Sequence, residues 1–342
     1  MARTKSSATT MADIARLAGV HVSTVSRALA GSALVDRGVR ETILAIAERH
    51  GYVVNRAARS LRTSRTHTLT VAIPLAHERD QALTDPFFTA MLGHLADEIT
   101  RRGFALHLEK ILPPMDDWLQ KLIAARRSDG IIVIGQSTEH DALEQAAAKY
   151  SPLVVWGGHL AKQRYCVVGT DNVNGARMAT EHLLACGRRR IVFVGDPSIP
   201  EIRLRCDGYK LALARAPRGR AQPRIIKAHM TPEAAHTAMR RFIDSRSEFD
   251  AVFAATDIIA IGSMRALAAS GFAIPDDVAV VGYDDIAMAA HVHPSLTTVR
   301  QDLARGASLL VDLVLRRIAG EHAESVILPA ELVVRESTGG AP

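Results

Sequence analysis

The chain has 342 residues, a formal net charge of +6 and 48% hydrophobic residues, and this length predicts two or three domains, each with a stable core. It holds no run of about 18 apolar residues, which excludes a membrane-spanning helix. Its three cysteines form no C-x-x-C pair, which excludes a disulfide framework and a zinc cluster, and we expect buried, reduced thiols.

The positive charge is concentrated at the N-terminal end. Through Arg65 the chain has eleven Lys and Arg residues against four acidic ones, a charge of +7, so the remainder carries −1. A basic head on a nearly neutral body is typical of a nucleic-acid binder whose larger part has another role. Residues 1–10 lack the apolar segment of a secretory signal, so we expect a cytoplasmic location.

The first predicted elements are two short helices broken by a glycine. Thr10 and Asp13 have capping-box spacing, which predicts that the first helix begins at this point. Gly19 suits the left-handed residue that ends this helix, and Val20 and Val25 are expected to pack the second helix against the first. The first helix should bury a face made of Ile14, Leu17 and Ala18.

The second helix carries the side chains that a DNA-reading helix needs. Those predicted to face outward are Val22, Ser23, Ser26 and Arg27. A β-branched side chain, two hydroxyls and a guanidinium can contact a thymine methyl, base edges and phosphate in the major groove. The alternative is an ordinary helical hairpin, but a third amphipathic helix around Val39–His50 favours a helix-turn-helix.

Short apolar runs alternate with helical segments from Leu69 onward. The predicted strands are Leu69–Pro74, Gly130–Ile134, Leu153–Trp156, Arg190–Gly195, Ala251–Ala254 and Val278–Tyr283. The helical segments between them are Phe87–Arg102, Gly175–Cys186, Arg203–Ala214 and Asp257–Ser270. Continuous apolar strands followed by helices predict parallel sheets covered on both faces, and the length of this body favours two doubly wound subdomains.

A series of short motifs runs in one order along nearly the whole chain. In the N-terminal part they are Ala12-Asp13-Ile14-Ala15, Ala18-Gly19-Val20, Thr24-Val25-Ser26-Arg27, Gly51-Tyr52 and Ala58-Arg59-Ser60-Leu61. In the body they are Thr170-Asp171-Asn172, the segment 187–195, the segment 205–209, the segment 256–262, Val281-Gly282-Tyr283-Asp284, the segment 296–299 and the segment 332–337. Together they resemble the lactose/galactose-repressor (LacI/GalR) family of bacterial transcription regulators.

The resemblance implies an α/β fold, in which an N-terminal all-α helix-turn-helix domain precedes two doubly wound parallel-sheet subdomains like those of periplasmic binding proteins. The implied domains are a flexible arm at 1–9, the helix-turn-helix at 10–53, a hinge helix and linker at 54–68 and a ligand-binding domain at 69–342. In the last domain, subdomain 1 would hold 69–171 and 301–329, and subdomain 2 would hold 172–300 and 330–342. The chain would thus cross between the subdomains three times.

The resemblance also implies which residues contact DNA. In the helix-turn-helix they are Thr10, His21, Val22, Ser23, Thr24, Ser26 and Arg27. In the hinge they are Asn55, Arg56, Arg59, Ser60 and Leu61, of which the leucine would enter the minor groove as an apolar wedge. His21, Ala30 and Val54 depart from the family's usual residues, so the resemblance implies no operator sequence.

Polar residues follow several predicted strands, where ligands of doubly wound sheets bind. They are Asp171, Asp196, Asp257 and Asp284. A helix N-cap is the alternative role for each, above all for Asp257, which opens a helix. In the family, Arg205 and Asp284 would face the cleft and hold paired hydroxyl groups, whereas a surface charge is the alternative role for Arg205.

Aromatic residues complete the predicted effector site. Phe87 and Phe88, with Trp156 as a second candidate, would supply the apolar face on which a pyranose ring stacks. Core packing at a helix start is the alternative for the phenylalanine pair. The predicted effector-binding residues are therefore Phe87, Phe88, Trp156, Arg205, Asp257 and Asp284.

The sequence thus predicts a ligand-responsive repressor of carbohydrate-utilisation genes, which binds a palindromic operator as a homodimer and leaves it when a sugar or glycoside fills the cleft. A corepressor-type regulator that responds to a nucleobase or another metabolite stays open, although the segment 227–231 has no aromatic residue to enclose a base. The basic head disfavours a solute-binding protein. Nucleotide-binding and nucleophile-elbow motifs do not occur, so we expect no enzyme, no catalytic residue, no cofactor and no metal.

Overall fold

The structure is a computed structural model that describes residues 9–29, 32–52, 65–75, 82–112, 117–216 and 222–340. The chain divides into two compact units between Thr66 and His67. The first unit is all-α and the second is α/β. Within the described ranges, none of the helices combines the length and the apolar character that crossing a membrane requires.

The first unit contains three described helices, α1 (Met11–Ala18), α2 (Val22–Leu29) and α3 (Arg37–Arg49). The predicted capping box is confirmed, because the Thr10 hydroxyl accepts from the N–H of Asp13 at 3.3 Å and the Asp13 carboxylate accepts from the N–H of Thr10 at 3.0 Å. Gly19 ends α1 with a φ of 64°, the left-handed conformation predicted for it. The fully buried residues of the shared core include Ile14, Val25 and Ile43.

Two side chains of this unit contradict their predicted orientation. Ser26 was expected to face outward, but it is only 9% exposed. On a helix with 3.6 residues per turn it lies about 100° from Val25 and about 60° from Leu29, at the margin of the buried face, and its small side chain lets α2 approach the core. Leu17 was expected to be buried, but it is 48% exposed, and Ala15 lies in the core instead.

The second unit has two lobes, each built on a six-stranded sheet. The lobe 1 strands are β1 (Thr68–Pro74), β2 (Ala105–Ile111), β3 (Gly130–Ile134), β4 (Leu153–Trp156), β5 (Cys166–Thr170) and β11 (Val326–Leu328). All of them run parallel, in the order β11-β5-β4-β3-β1-β2. The lobe 1 helices are α4 (Pro86–Arg101), α5 (Trp118–Ala124), α6 (His140–Ala147) and α11 (Leu303–Ile318). One apolar cluster joins α4 and α11 to the sheet and another joins α5 and α6 to it, so both faces are covered.

Lobe 2 repeats this architecture. Its strands are β6 (Ile191–Val194), β7 (Arg224–Ile226), β8 (Ala251–Ala254), β9 (Ala279–Asp284), β10 (Thr297–Arg300) and β12 (Glu331–Val333). Their order is β12-β10-β9-β8-β6-β7, and only the β10–β12 pair is antiparallel. Its helices are α7 (Asn172–Ala185), α8 (Pro200–Arg215), α9 (Pro232–Asp244) and α10 (Asp257–Ala268), with 3-10 turns at Ala287–Ala290 and Glu336–Thr338.

The chain passes from one sheet to the other three times, after Thr170, after Arg300 and after Leu328. The predicted fold class is confirmed: a helix-turn-helix is followed along the chain by two sheets whose strands are mostly parallel. Because all strands except β12 run parallel within their sheets, their carboxyl ends lie together at one edge, and ligands of such sheets bind among the loops that follow them.

The cysteines agree in part with the prediction. Cys166 and Cys206 are free and buried, and burial raises the pKa of both thiols. Cys186, in contrast, is exposed at the end of α7, because the helix stops there and the chain turns at the surface.

Candidate functional site

One candidate site is the solvent-exposed surface of α2, together with His21, which precedes it. His21, Val22, Ser23 and Arg27 are exposed there, and Thr24 is half-buried. A β-branched side chain, hydroxyl groups, an imidazole and a guanidinium thus share the solvent side of this helix. These groups can contact base edges and phosphates if the helix enters a major groove.

The imidazole of His21 caps α2. The backbone N–H of Ser23 donates to its Nδ1 at 3.3 Å, and the Ser23 hydroxyl lies 2.9 Å from the same atom. A ring nitrogen therefore replaces the side-chain oxygen that usually caps a helix. Because Nδ1 accepts, the hydrogen of the neutral ring lies on Nε2, which can donate to a phosphate or a base. The Thr10 hydroxyl is instead used within its capping box, where it donates to Asp13 at 2.7 Å.

The predicted hinge contacts lie outside the described residues. They are Asn55, Arg56, Arg59, Ser60 and Leu61, and the family departures at Ala30 and Val54 lie outside as well. Their roles on DNA stay predictions.

The second candidate site is a cavity between the lobes of the α/β unit, at the carboxyl ends of both sheets. It holds about 700 Å³ of empty space, its open mouth included. Its lobe 1 wall includes Asp85, Phe87, Phe88, Ser137 and Trp156. Its lobe 2 wall includes Glu201, Arg205, Met230, Thr256 and Asp284. Five of the six predicted effector residues therefore line one cavity.

Aromatic rings form much of the lobe 1 wall. Phe87 and Phe88 begin α4, with ring centroids 5.7 Å apart, and Asp85 caps this helix by accepting from the N–H of Phe87 at 2.9 Å. Phe88 is only 8% exposed and Trp156 only 4%. The Trp156 ring packs on α11, where a Cβ at Gly306 would come within 2.3 Å of it. The half-buried Phe87 thus offers the most open apolar face.

Arg205 reaches the cavity from α8 and is fixed by its neighbours. Its Nε donates to Asn172 Oδ1 at 2.8 Å, and its Nη1 donates to the carbonyl of Ala255 at 2.6 Å. Nη1 also lies 3.5 Å from Asp284 Oδ1. The guanidinium carbon stands 3.7 Å from the centroid of the Tyr283 ring, a cation–π contact. These contacts orient the side chain before any ligand binds.

Asp284 ends β9 in a strained conformation. Its φ is 120°, which is costly for a residue with a Cβ and is maintained only where the surroundings enforce it. Gln301 donates to its Oδ1 at 2.7 Å. Burial raises the pKa of Asp284 to about 7, although the Arg205 guanidinium opposes this rise. A strained, buried carboxyl at the end of a strand is a strong candidate for ligand contact.

Asp257 lies behind the cavity wall, which corrects its predicted role in effector binding. It is 0% exposed, and its carboxylate accepts from the N–H of Ile286 at 2.9 Å and from the Thr298 hydroxyl. Burial, followed by the charge of Asp284, raises the pKa of Asp257 well above its usual value. Thr256 lines the cavity instead, because this N-cap of α10 stands where β8 has ended and the helix has not begun.

Sequence reasoning did not assign Glu201, Ser137 or Met230 to the site. For Glu201 a pattern existed, since it precedes Arg205 by four residues and so shares its helix face. Ser137 and Met230 lie in loops, where no periodicity indicates direction. Among the residues that the structure describes, no group of three or more His, Cys, Asp or Glu side chains is arranged to hold a metal ion.

Two family models match the chain. The model of bacterial regulatory proteins of the lacI family matches residues 10–55, and that of periplasmic binding protein-like domains matches residues 180–338. The HTH-type transcriptional regulator CelR of Thermobifida fusca is 33% identical over 335 residues, which cover 96% of this chain and 98% of CelR.

Two solved structures are similar to this chain. A complex of the transcriptional regulator CelR with cellobiose has a TM-score of 0.71 at 33% identity, covering 96% of this chain and 99% of that one. A lac repressor dimer bound to operator and the anti-inducer ONPF has a TM-score of 0.84 at 24% identity, covering 97% and 99%. The second likeness concerns the fold alone.

Proposed function

Since the chain belongs to the LacI family of bacterial regulatory proteins, it is a DNA-binding transcription regulator and not an enzyme, and we propose that it represses carbohydrate-utilisation genes until a sugar or glycoside fills its cavity. The observation that carries the sugar assignment is the composition of the cavity wall. An aromatic face from lobe 1 and a fixed guanidinium and carboxyl from lobe 2 line one space.

These groups suit a pyranose ring. Arg205 is a donor and Asp284 accepts when ionised, so together they can bind two neighbouring hydroxyls, each of which donates and accepts. Phe87 would offer its ring to the apolar face of the sugar, and it packs against the apolar cluster that contains Phe88 and Trp156. The relative that is 33% identical was solved with cellobiose, which makes a β-linked glucoside the first compound to test.

A regulator of the same fold that responds to a nucleobase is the alternative. The segment 227–231 brings Met230 to the cavity. A thioether side chain does not stack flat on a base as an aromatic ring does, so this wall favours a sugar.

On the DNA side, we propose that α2 reads the operator through His21, Val22, Ser23, Thr24 and Arg27. One such helix contacts few base pairs, so a palindromic operator and a homodimer are part of the proposal. The apolar groove beside α10 includes Ile261, Met264, Phe272 and Ile274. A second copy of the chain would bury this groove in the proposed homodimer. Because its operators would lie on the chromosome, the proposal places the protein in the cytoplasm, associated with the nucleoid.

The function is tested by screening the full-length protein against neutral sugars and nucleosides for an increase in Tm. A ligand at about 100 times its Kd should add roughly 2.7 kcal/mol of stability. Each compound that stabilises the protein is then added to its complex with a duplex selected from random sequences. We expect a β-glucoside to stabilise the protein and to release the duplex. Stabilisation by nucleosides alone would contradict the sugar assignment.

A further inference from the structure

The wall of the cavity carries more acidic than basic side chains. Its described lining contains three carboxyl side chains, Asp85, Glu201 and Asp284, against one cation, Arg205. That guanidinium is already engaged by Asn172, the Ala255 carbonyl and Asp284. Little positive charge is therefore left for an anionic ligand.

Glu201 is held from the opposite lobe. It lies in the first turn of α8, and its Oε1 accepts from the backbone N–H of Gln136 in lobe 1 at 3.0 Å. The Gln136 side chain is itself fixed, because it donates to the Gly158 carbonyl at 2.8 Å and to the Tyr165 hydroxyl at 2.7 Å. At this point α8 lies close to lobe 1, since a Cβ on Gly158 would come within 2.5 Å of Leu204 Cδ1. The carboxylate is thus fixed in position across the cleft.

Glu201 has no ion-pair partner among the residues that the structure describes. Burial raises the pKa of its carboxyl and the N–H of Gln136 opposes that rise. The positive charges of Arg205 and Arg203 also oppose the rise, but neither guanidinium lies within ion-pair distance of Glu201, and the ion pair of Arg205 is with Asp284, at 3.5 Å. When Glu201 is ionised, a ligand hydroxyl can donate to its carboxylate, whereas a phosphate or carboxylate group of a ligand would be repelled by it.

We propose that Glu201 is a specificity-determining residue, which makes the cavity accept uncharged polyhydroxylated ligands and reject their phosphorylated or acidic forms. The inference rests on the proposed function only in taking this cavity as the effector site. Because the donor to Glu201 belongs to lobe 1, the discrimination operates in the arrangement of the lobes in which this hydrogen bond is made. Like charges about 4 Å apart near a protein surface weaken binding by roughly a hundredfold or more.

The test is calorimetric titration of the full-length protein at pH 8 with matched pairs: glucose and glucose 6-phosphate, cellobiose and cellobiose 6-phosphate, adenosine and AMP. In the wild type, the neutral member that binds should bind at least about a hundredfold tighter than its anionic partner. Glu201→Gln keeps an acceptor for the Gln136 N–H but loses the charge, so this ratio should fall about tenfold or more. Asp207→Asn removes the same charge from the exposed side of α8 and should leave the ratio unchanged.

The outcomes separate this inference from the proposed function. Adenosine binding with exclusion of AMP would contradict a sugar effector but support the role of Glu201. Equal binding of a sugar and its phosphate would support a sugar effector but contradict the role of Glu201. The inference is wrong if no neutral member binds, if an anionic member binds as tightly as its partner, or if Glu201→Gln leaves the ratio as in the wild type.

Discussion

Replacing Arg205 by methionine should destabilise lobe 2, and the loss should grow with pH. Methionine keeps apolar contact with Tyr283 but removes the hydrogen bonds to Asn172 and the Ala255 carbonyl, at 2.8 and 2.6 Å. It also leaves Asp284 buried without the cation that stands 3.5 Å away. Removing one partner of a buried ion pair costs about 3–5 kcal/mol when the other partner stays charged.

The pH dependence follows from the Asp284 carboxyl. Burial raises its pKa from 3.8 to about 7 in the folded protein, and Arg205 opposes this rise. Without Arg205 the folded pKa moves higher still. Between the unfolded and folded pKa the native state holds a proton that the unfolded chain has released, so stability falls as pH rises through this interval. The variant continues to lose stability above pH 7, where the wild type no longer does.

Urea unfolding at pH 6 and pH 8 measures this effect. At pH 6 the neutral carboxyl leaves only the lost hydrogen bonds, roughly 1–3 kcal/mol, whereas at pH 8 the full ion-pair loss should appear. The double variant Arg205→Met/Asp284→Asn carries neither charge of this pair, so at pH 8 it should regain part of the stability that Arg205→Met loses. Arg203→Met, on the exposed side of the same helix, is the control. Equal losses at both pH values, or additive effects in the double variant, would refute the reasoning.

The remaining predictions concern DNA binding and packing. Affinity for operator should fall by about 10³ to 10⁵ between 50 and 200 mM salt if six to ten phosphates are contacted, and a flat response in anisotropy titrations would contradict this. Leu61→Ala should reduce DNA bending in a circular-permutation gel and weaken specific more than non-specific binding; unchanged bending would exclude the wedge. Gly208→Ala should cost about 1–3 kcal/mol in urea unfolding, because its Cβ would meet the Val173 carbonyl oxygen at 2.2 Å. Gly93→Ala, with nothing within 4 Å of the new Cβ, should instead gain roughly 0.5–1 kcal/mol, and equal effects of the two changes would count against the packing argument.

Hydrophobic patterns predicted six of the eight interior strands, and they missed β5, β10 and all four edge strands. The strands β1, β3, β4, β6, β8 and β9 are continuous apolar runs because both of their faces are covered. The four unpredicted edge strands are β2, β7, β11 and β12, which are partly exposed and carry mixed side chains. An edge strand has one neighbour and a solvated side, so its sequence lacks the run that reveals a buried strand.

The candidate site was predicted residue by residue with uneven success. Arg205 and Asp284 came from the family resemblance, and both line the cavity. The aspartate at 257 was chosen one position too far along, because spacing does not tell which of two residues at a strand end points outward; Thr256 does. Glu201 shares a helix face with Arg205, but its importance depends on Gln136 of the other lobe, a contact between distant parts of the chain.

The central claim is that the cavity and the DNA-binding unit are energetically coupled. It is tested most directly by titrating operator with the full-length protein by fluorescence anisotropy, with and without saturating cellobiose, and then titrating cellobiose into the protein with and without operator. A coupling of about 1–3 kcal/mol should weaken operator binding 5- to 150-fold, and operator should weaken cellobiose binding by the same factor. A sugar that binds the cavity but leaves operator affinity unchanged would contradict the account.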